Sequence, residues 1–399
     1  MTALRSSLSG LLFLSLCCAQ STSISLTGSA TLGPAPNSKY NFTGSGGGTL
    51  TPGGAVQFAI DVIGTGDDNC NDNIEAPLTI TAANGDKLML TVLVPHTSGT
   101  TFSASFAITG GTGQYAGKGG SGTVTFALTS PPPNIAVMVT LTGNLTSQVT
   151  PNPSINPSGV VPVGHSRSAI QPGSWISVYG KNLATSTTVW DGQSAGIPTT
   201  LGGLTATING KAAYFWFTSP GQINLQAPDD SLRGCANVTI NTPNGPVSTQ
   251  VQLAEAAPSL NLLDVKYPAA VIPTPNGGGA YAGGKYDLAG PAGRFSYSTR
   301  PVKKGETVVL YGVGFGPTVP AVPAGKAFTG AAPVDTSFPV QVLLNNNPAP
   351  ASFVGLVGAG LFQINLVVPQ NAISGDNVLR VVTPGAGGST QDGIYLTVQ

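Results

Sequence analysis

From residue 24 onwards, apolar and small polar residues alternate over short stretches. "VQFAIDVIG" (56–64), "LTITAANGDKLMLTVLV" (78–94), "TFSASFAITGG" (101–111), "GTVTFALTS" (122–130) and "AVMVTLTGNLT" (136–146) largely follow this rhythm. Placing every second side chain on an apolar face is the period of a half-buried strand. Asn84-Gly85 and Gly110-Gly111 cut the stretches where a tight hairpin needs residues tolerant of positive φ. The pattern predicts an up-and-down antiparallel sheet over residues 24–148, closed as a barrel or folded as a sandwich. A proline-rich stretch follows, "TPNPSINPSGVVPVG" (150–164). Residues 149–164 therefore read as an extended, semi-stiff spacer.

Beyond the spacer the pattern repeats itself. "IQPGSWISVYGKNLA" aligns with "VKKGETVVLYGVGFG", so that Gly173, Tyr179 and Gly180 fall on Gly305, Tyr311 and Gly312. Between the glycine turn and the Tyr-Gly pair, Ile176 and Val178 match Val308 and Leu310 at period two, which places them on the core face of a strand. "SPGQINLQAP" (219–228) returns as "GLFQINLVVP" (360–369), and Ser248-Thr249-Gln250 returns as Ser389-Thr390-Gln391. A repeat that keeps turns and core-face residues while its loops drift is a duplicated module. The expected modules are 165–256 and 257–399. With the N-terminal block they make an all-β chain, a barrel followed by two tandem immunoglobulin-like sandwiches.

Composition agrees. Charged residues are 8% of the 399, against about 25% in an average domain, with 54 Gly and 33 Pro. Lys+Arg and Asp+Glu number 16 each, so there is no net field to draw a nucleic acid or an anionic surface. The N-terminus has the form of a secretion signal over residues 1–19. Arg5 gives the positive start, "LSGLLFLSLCCA" the apolar stretch, and Cys17 and Ala19 the small residues before a cut after Ala19. Leu16 is bulky where a lipoprotein signal wants a small residue, so a soluble exported product is favoured over a lipid anchor. No later apolar run is long enough to span a bilayer. Removal of the signal leaves Cys70 and Cys235, read as two buried free thiols, with a disulfide between them as the alternative.

At the repeated residues the sequence resembles a known family. "PGSWISVYGKNLA", "LGGLTATINGKAAYFWFTSPGQINLQAPDD", "GETVVLYGVGFGPT" and "LVGAGLFQINLVVP" are similar to the uncharacterised C-terminal domain of many secreted proteins of Solibacter and other Acidobacteria. Each half also resembles a TIG/IPT immunoglobulin-like domain, whose "VTITGxNF" strand corresponds to "ISVYGKNL" and "VVLYGVGF". The resemblance covers about residues 165–399 and implies tandem β-sandwiches on an exported protein, with no reaction and no binding residues. In the N-terminal block, "ITGGTGQYAGKGGSGTVTF" (108–126) is loosely similar to small secreted barrels of the allene-oxide-cyclase and dirigent group, which implies the fold alone.

Candidate chemistry is sparse. "GQSAG" (192–196) fits the G-x-S-x-G nucleophile pattern at Ser194, but no helix follows it and both histidines, His96 and His165, precede it. "GVGFG" (312–316) imitates a dinucleotide loop without the helix N-terminus that would hold a phosphate, so it reads as a sandwich turn. In "GDDNCNDNIE" (66–75), Asp67, Asn69 and Asn71 alternate as calcium ligands would. Asp72 and Leu78 then stand where an EF-hand needs Gly and Glu. No metal, cofactor or catalytic residue is assigned. Tyr179 and Tyr311 are expected to pack with their hydroxyls bonded to nearby backbone.

One stretch stands out. "AYFWFT" (213–218) sets four aromatics in a row on a predicted strand, with Tyr214 and Trp216 on one face and Phe215 and Phe217 on the other. Two explanations of the Tyr214/Trp216 face are open: a platform stacking on sugar rings, or contact with the adjacent domain. The leading expectation is a non-enzymatic secreted or cell-surface modular protein, its tandem domains acting as structural, adhesive or spacer modules. The alternative is a carbohydrate-binding protein using the Tyr214/Trp216 strand or the barrel mouth. An enzyme housed in the barrel ranks third. The expected partners are extracellular protein or polysaccharide, with no nucleic acid and no membrane span.

Overall fold

The computed structural model describes residues 21–34, 42–62, 74–94, 100–130, 135–146, 153–192, 196–385 and 388–399. Eight strands come first: β1 (Ser21–Pro34), β2 (Phe42–Thr51), β3 (Gly54–Val62), β4 (Ile74–Ala82), β5 (Lys87–Val94), β6 (Thr101–Gly111), β7 (Gly119–Leu128) and β8 (Ile135–Thr146). Each pairs antiparallel with the next, and β1 pairs with β8, so the sheet closes as a barrel. An eight-stranded barrel leaves an interior just wide enough for side chains to fill it. The alternating residues do so: Leu26, Phe58, Ile80, Leu90, Phe106 and Leu141 are all buried in one cluster. Glycine makes room for the rings. A Cβ on Gly143 would lie 2.6 Å from Phe106 Cζ, and one on Gly122 would lie 2.7 Å from Phe106 Cε1.

Two sandwiches follow. In the first, one sheet runs in the order Thr188–Val189, Tyr214–Thr218, Gln222–Gln226, Trp175–Lys181 and Ser154–Pro162. The facing sheet runs Ala169–Ile170, Gly245–Leu253, Gly234–Thr242, Leu204–Ile208 and Thr200–Leu201, with Lys211–Ala212 beside Leu204–Ile208. Ile176, Val178, Phe215, Ile223 and Leu225 fill the core between them. In the second sandwich, one sheet runs Tyr286–Leu288, Ala270–Pro273, Thr307–Val313, Leu361–Val367, Ala351–Gly358 and Ala332–Pro333, with Ser259–Leu260 also on Thr307–Val313. The other runs Asn347–Ala349, Gln341–Leu344, Gly375–Val382 and Tyr395–Val398. Val308, Leu310, Ile364 and Leu366 occupy the places of Ile176, Val178, Ile223 and Leu225, and all eight are buried.

The repeated Gln-Ile-Asn-Leu has the same geometry in both copies. Gln222 pairs across the ladder with Tyr179, as Gln363 does with Tyr311. On the outward face, Gln222 Nε2 donates to Asn224 Oδ1 at 2.8 Å, and Gln363 Nε2 donates to Asn365 Oδ1 at 2.7 Å. Gly173 and Gly305 share φ values of 79° and 78°, which only glycine adopts without strain. Their N–H groups donate to the carbonyls of Ala227 and Val368 at 3.1 and 2.8 Å, closing the same turn twice.

Three expectations change here. Residues 154–162 are not a spacer: Ser154–Pro162 pairs with Trp175–Lys181, and Val160 and Val161 are buried. The strand lies at the sheet edge, where proline's missing N–H breaks no ladder; Pro157 falls at the register shift and Pro162 at the strand end. Among the described residues the Tyr179 and Tyr311 hydroxyls make no hydrogen bond with backbone. Tyr179 is 37% exposed and Tyr311 is half-buried, because both point outward, opposite the glutamines. Cys235 is exposed and disulfide-bonded rather than a buried free thiol. Cys70 lies outside the described residues, as do the signal at 1–19, His96, Ser194 and the candidate oxygen ligands Asp67, Asn69 and Asn71.

The "GVGFG" segment is a strand end and the loop that leaves it, and the next strand, Ala332–Pro333, returns to the same sheet. Thr307–Val313 ends there, Gly314 and Gly316 have φ of 78° and 117°, and Phe315 drops into the core with its ring centroid 5.7 Å from that of Phe362. No helix follows.

Candidate functional site

The outward face of the aromatic strand meets the second sandwich. Trp175, Gln226 and Tyr214 are direct neighbours across three strands, so all three point away from the core. Gln226 is 2% exposed. Its Nε2 donates to Gly173 O at 2.9 Å within its own sandwich, and its Oε1 accepts the Gly325 N–H of the other at 2.9 Å. Tyr214 packs against that backbone, where a Cβ on Gly325 would lie 2.1 Å from the ring. Gln171 makes a reciprocal pair with Gly316, donating from Nε2 to its carbonyl and accepting its N–H at Oε1, both at 2.9 Å.

Further bonds cross the same seam. Asp229 Oδ2 accepts the Ala324 N–H at 2.9 Å, and Ile197 N–H donates to Gly325 O at 3.1 Å. Ser259 Oγ donates to Val163 O at 2.6 Å, and Gln391 Nε2 donates to Gly164 O at 2.8 Å. Paired backbone donors and acceptors at a buried seam are costly to separate, since each orphaned group costs about 1–3 kcal/mol. Next to Gly164, His165 Nδ1 accepts the N–H groups of Ser166 and Arg167, both at 2.8 Å. Burial, and then the positive Arg167, push the imidazole pKa below its usual value, and the Ser389 backbone and Asp392 oppose them.

Trp216 does not alternate with Tyr214 as the sequence implies. The pairing of Tyr214–Thr218 with Gln222–Gln226 slips at Trp216, so Phe215 faces Leu225 while Phe217 faces Asn224. A bulge places two residues against one and turns the strand. Phe215 stays in the core, and Phe217 is half-buried on the outer side. Trp216 is 44% exposed, and its ring meets those of Trp175 and Trp190 edge-on, with centroids 5.7 and 5.4 Å apart. Backbone pairing of Trp190 N–H with Trp216 O at 2.9 Å holds the third ring in place. The chain has three tryptophans, and all of them meet here.

These rings line one wall of a cavity of about 460 Å³ between the sandwiches, within the range of small-molecule sites. Phe328, Leu361 and Ala359 also line it, and Asn224 and Asn261 add polar groups. Among the described residues no charged side chain lines it. The rim is fixed from both sides: Trp175 Nε1–H donates to Ala359 O at 2.6 Å, and a Cβ on Gly360 would lie 2.8 Å from Trp175 Cδ1. Of the two residues singled out in the sequence, Tyr214 is thus an interdomain contact and Trp216 a groove residue. Trp175 escaped the sequence reading, although its period-two position opposite Ile176 already placed it on the outer face. Trp190, just past the two-residue strand Thr188–Val189, gave no such signal.

Among the described residues, no group of three or more His, Cys, Asp or Glu could hold a metal ion, and no helix is long and apolar enough to cross a membrane. No protein family matches the chain, and no curated protein matches it. Among solved structures the chain is similar to the I9–I11 tandem of titin, at 7% identity over 75% of this chain and 94% of that one, with a TM-score of 0.16. A likeness that low carries no argument, and the immunoglobulin-like architecture stands on the strand pairing itself.

Proposed function

We propose that this chain is a non-enzymatic, exported modular protein in which two fused immunoglobulin-like sandwiches act as a rigid spacer that presents the N-terminal barrel. The observation that carries the reading is Gln226, which is buried and bonded to backbone of both sandwiches. A freely hinged pair would leave such a side chain in water. The barrel is tied in as well, because the hairpin turn at Gly245 lies against β7, where a Cβ on Gly245 would come 2.0 Å from Ser121 Oγ. Inter-domain motion is the default for chains of modules unless the contact is extensive, and a spacer needs that motion suppressed.

On this reading residues 1–19 direct export and are removed after Ala19, the modules are of TIG/IPT type as in the Acidobacterial secreted proteins, and the partners are extracellular protein or polysaccharide. Fractionation of a bacterial host expressing the full chain tests it. The account expects the protein outside the cytoplasm with Gln20 at its N-terminus. Retention in the cytoplasm with Met1 intact contradicts the export half of the proposal.

A further inference from the structure

The groove between the sandwiches holds more polar chemistry than the fold uses. Asn261 lines it, and its carboxamide makes no hydrogen bond among the described residues. Asn224 Oδ1 accepts from Ser177 Oγ at 3.0 Å and from Gln222 Nε2 at 2.8 Å, whereas its own Nδ2 protons have no acceptor there. Trp216 Nε1–H is likewise unpaired. Three unpaired polar groups on the walls of a tryptophan-lined cavity call for a ligand with apolar faces and hydrogen-bonding edges.

We infer that the groove binds a neutral saccharide, with the C–H face of a pyranose ring against one tryptophan face, the perpendicular indoles walling its edges, and Asn261, Asn224 and Trp216 Nε1–H bonded to hydroxyls of the chain. The lining selects among the alternatives. A quaternary ammonium group is drawn to an aromatic cage but gains most beside a carboxylate, and none lines this cavity. An acidic polymer finds no cation there. A proline-rich segment could satisfy the indole and amide donors with its carbonyls, but proline has no N–H to give the Asn261 carbonyl oxygen. A hydroxyl is both donor and acceptor and satisfies every one of these groups. The inference does not depend on the spacer role, which would survive its failure.

Because all three tryptophans lie at this site, indole emission reports on it alone. The experiment titrates residues 20–399 with cellohexaose, xylohexaose, mannohexaose and chitohexaose. An oligogalacturonate and decaproline serve as the competing chemistries. At least one neutral hexasaccharide is expected to give a saturable change in emission. Trp216→Ala is expected to weaken retention on the matching insoluble polymer by at least about tenfold, as expected when a main stacking contact of 1.4 kcal/mol or more is lost. Asn261→Ala, which removes a carboxamide with no hydrogen bond among the described residues and keeps the backbone bonds to Tyr311 and Ala269, is expected to fold and to weaken it by several-fold. The inference is overturned if no neutral hexasaccharide changes the emission, if decaproline or the oligogalacturonate does so instead, or if Asn261→Ala and a folded Trp216→Ala both bind as the wild type does.

Discussion

Replacing Gln226 by leucine tests how firmly the two sandwiches are joined. The side chain keeps its approximate size, but the Gly173 carbonyl and the Gly325 N–H, each 2.9 Å from it, lose their partner inside a seam that solvent does not reach. Two orphaned groups at about 1–3 kcal/mol each give a loss of about 2–6 kcal/mol. Extra apolar burial by leucine offsets about 1 kcal/mol of it, which leaves a net cost of several kcal/mol. Gln222→Leu is the matched control. It removes a single bond to Asn224 on a partly exposed face of the same strand and should cost less than about 1 kcal/mol. The assay is urea unfolding of residues 20–399 followed by tryptophan emission, which reads the seam directly because all three indoles lie there. With a urea slope of about 2–3 kcal/mol per molar, Gln226→Leu should lower the midpoint by about 1 M or more. A shift no larger than that of Gln222→Leu would refute the reasoning, since it would mean that the Gly325 bond contributes nothing.

Two further outcomes follow from the packing. Gly143→Val places a branched side chain where a Cβ alone already meets Phe106 Cζ and Ser121 O at 2.6 Å, and overpacking of this kind costs about 1–3 kcal/mol or more. Calorimetry should show the barrel transition lowered while the sandwich transition keeps its midpoint. His165 has a pKa below the unfolded value, so the unfolded chain binds the proton more readily, and stability rises with pH through this range. Stability should therefore be lost as pH falls from 7 through the ordinary histidine value near 6.5, because burial and then the positive Arg167 disfavour the charged imidazole in the folded chain. His165→Gln should flatten that slope in pH-dependent thermal melts.

Much of the architecture was legible because its signals are local. Alternation along "TFSASFAITGG" and "GTVTFALTS" fixes which side chains enter the barrel, and a repeat that carries Gly173 onto Gly305 and Gln222 onto Gln363 fixes two copies of one sandwich. The same alternation misled at Trp216, since a bulge shifts parity without leaving a mark in the residue types. Proline content misled at Ser154–Pro162: four prolines across 150–164 look like a spacer, but the two inside the strand, Pro157 and Pro162, lie on an edge where no ladder N–H is missed. The seam lay beyond reach for a different reason. Gln171, Gln226 and Asp229 bond to the backbone of residues 316–325, and backbone groups carry no side-chain signature that a sequence could pair with them. Tyr214 and Trp216 were recognisable as an aromatic pair in need of explanation, but only the seam separates their roles.

The central claim is that the two sandwiches form one rigid unit. Amide hydrogen exchange at Gly316, Ala324 and Gly325 tests it most directly, because these three N–H groups lie in loops of the second sandwich and their acceptors, Gln171, Asp229 and Gln226, belong to the first. In a fused unit they open only when the seam itself is lost, so all three should be protected to a degree close to that of the core amides of Thr307–Val313. Exchange of the three at the rate of an unstructured peptide, with the strand amides still protected, would mean that the sandwiches hinge freely, and the account would fall.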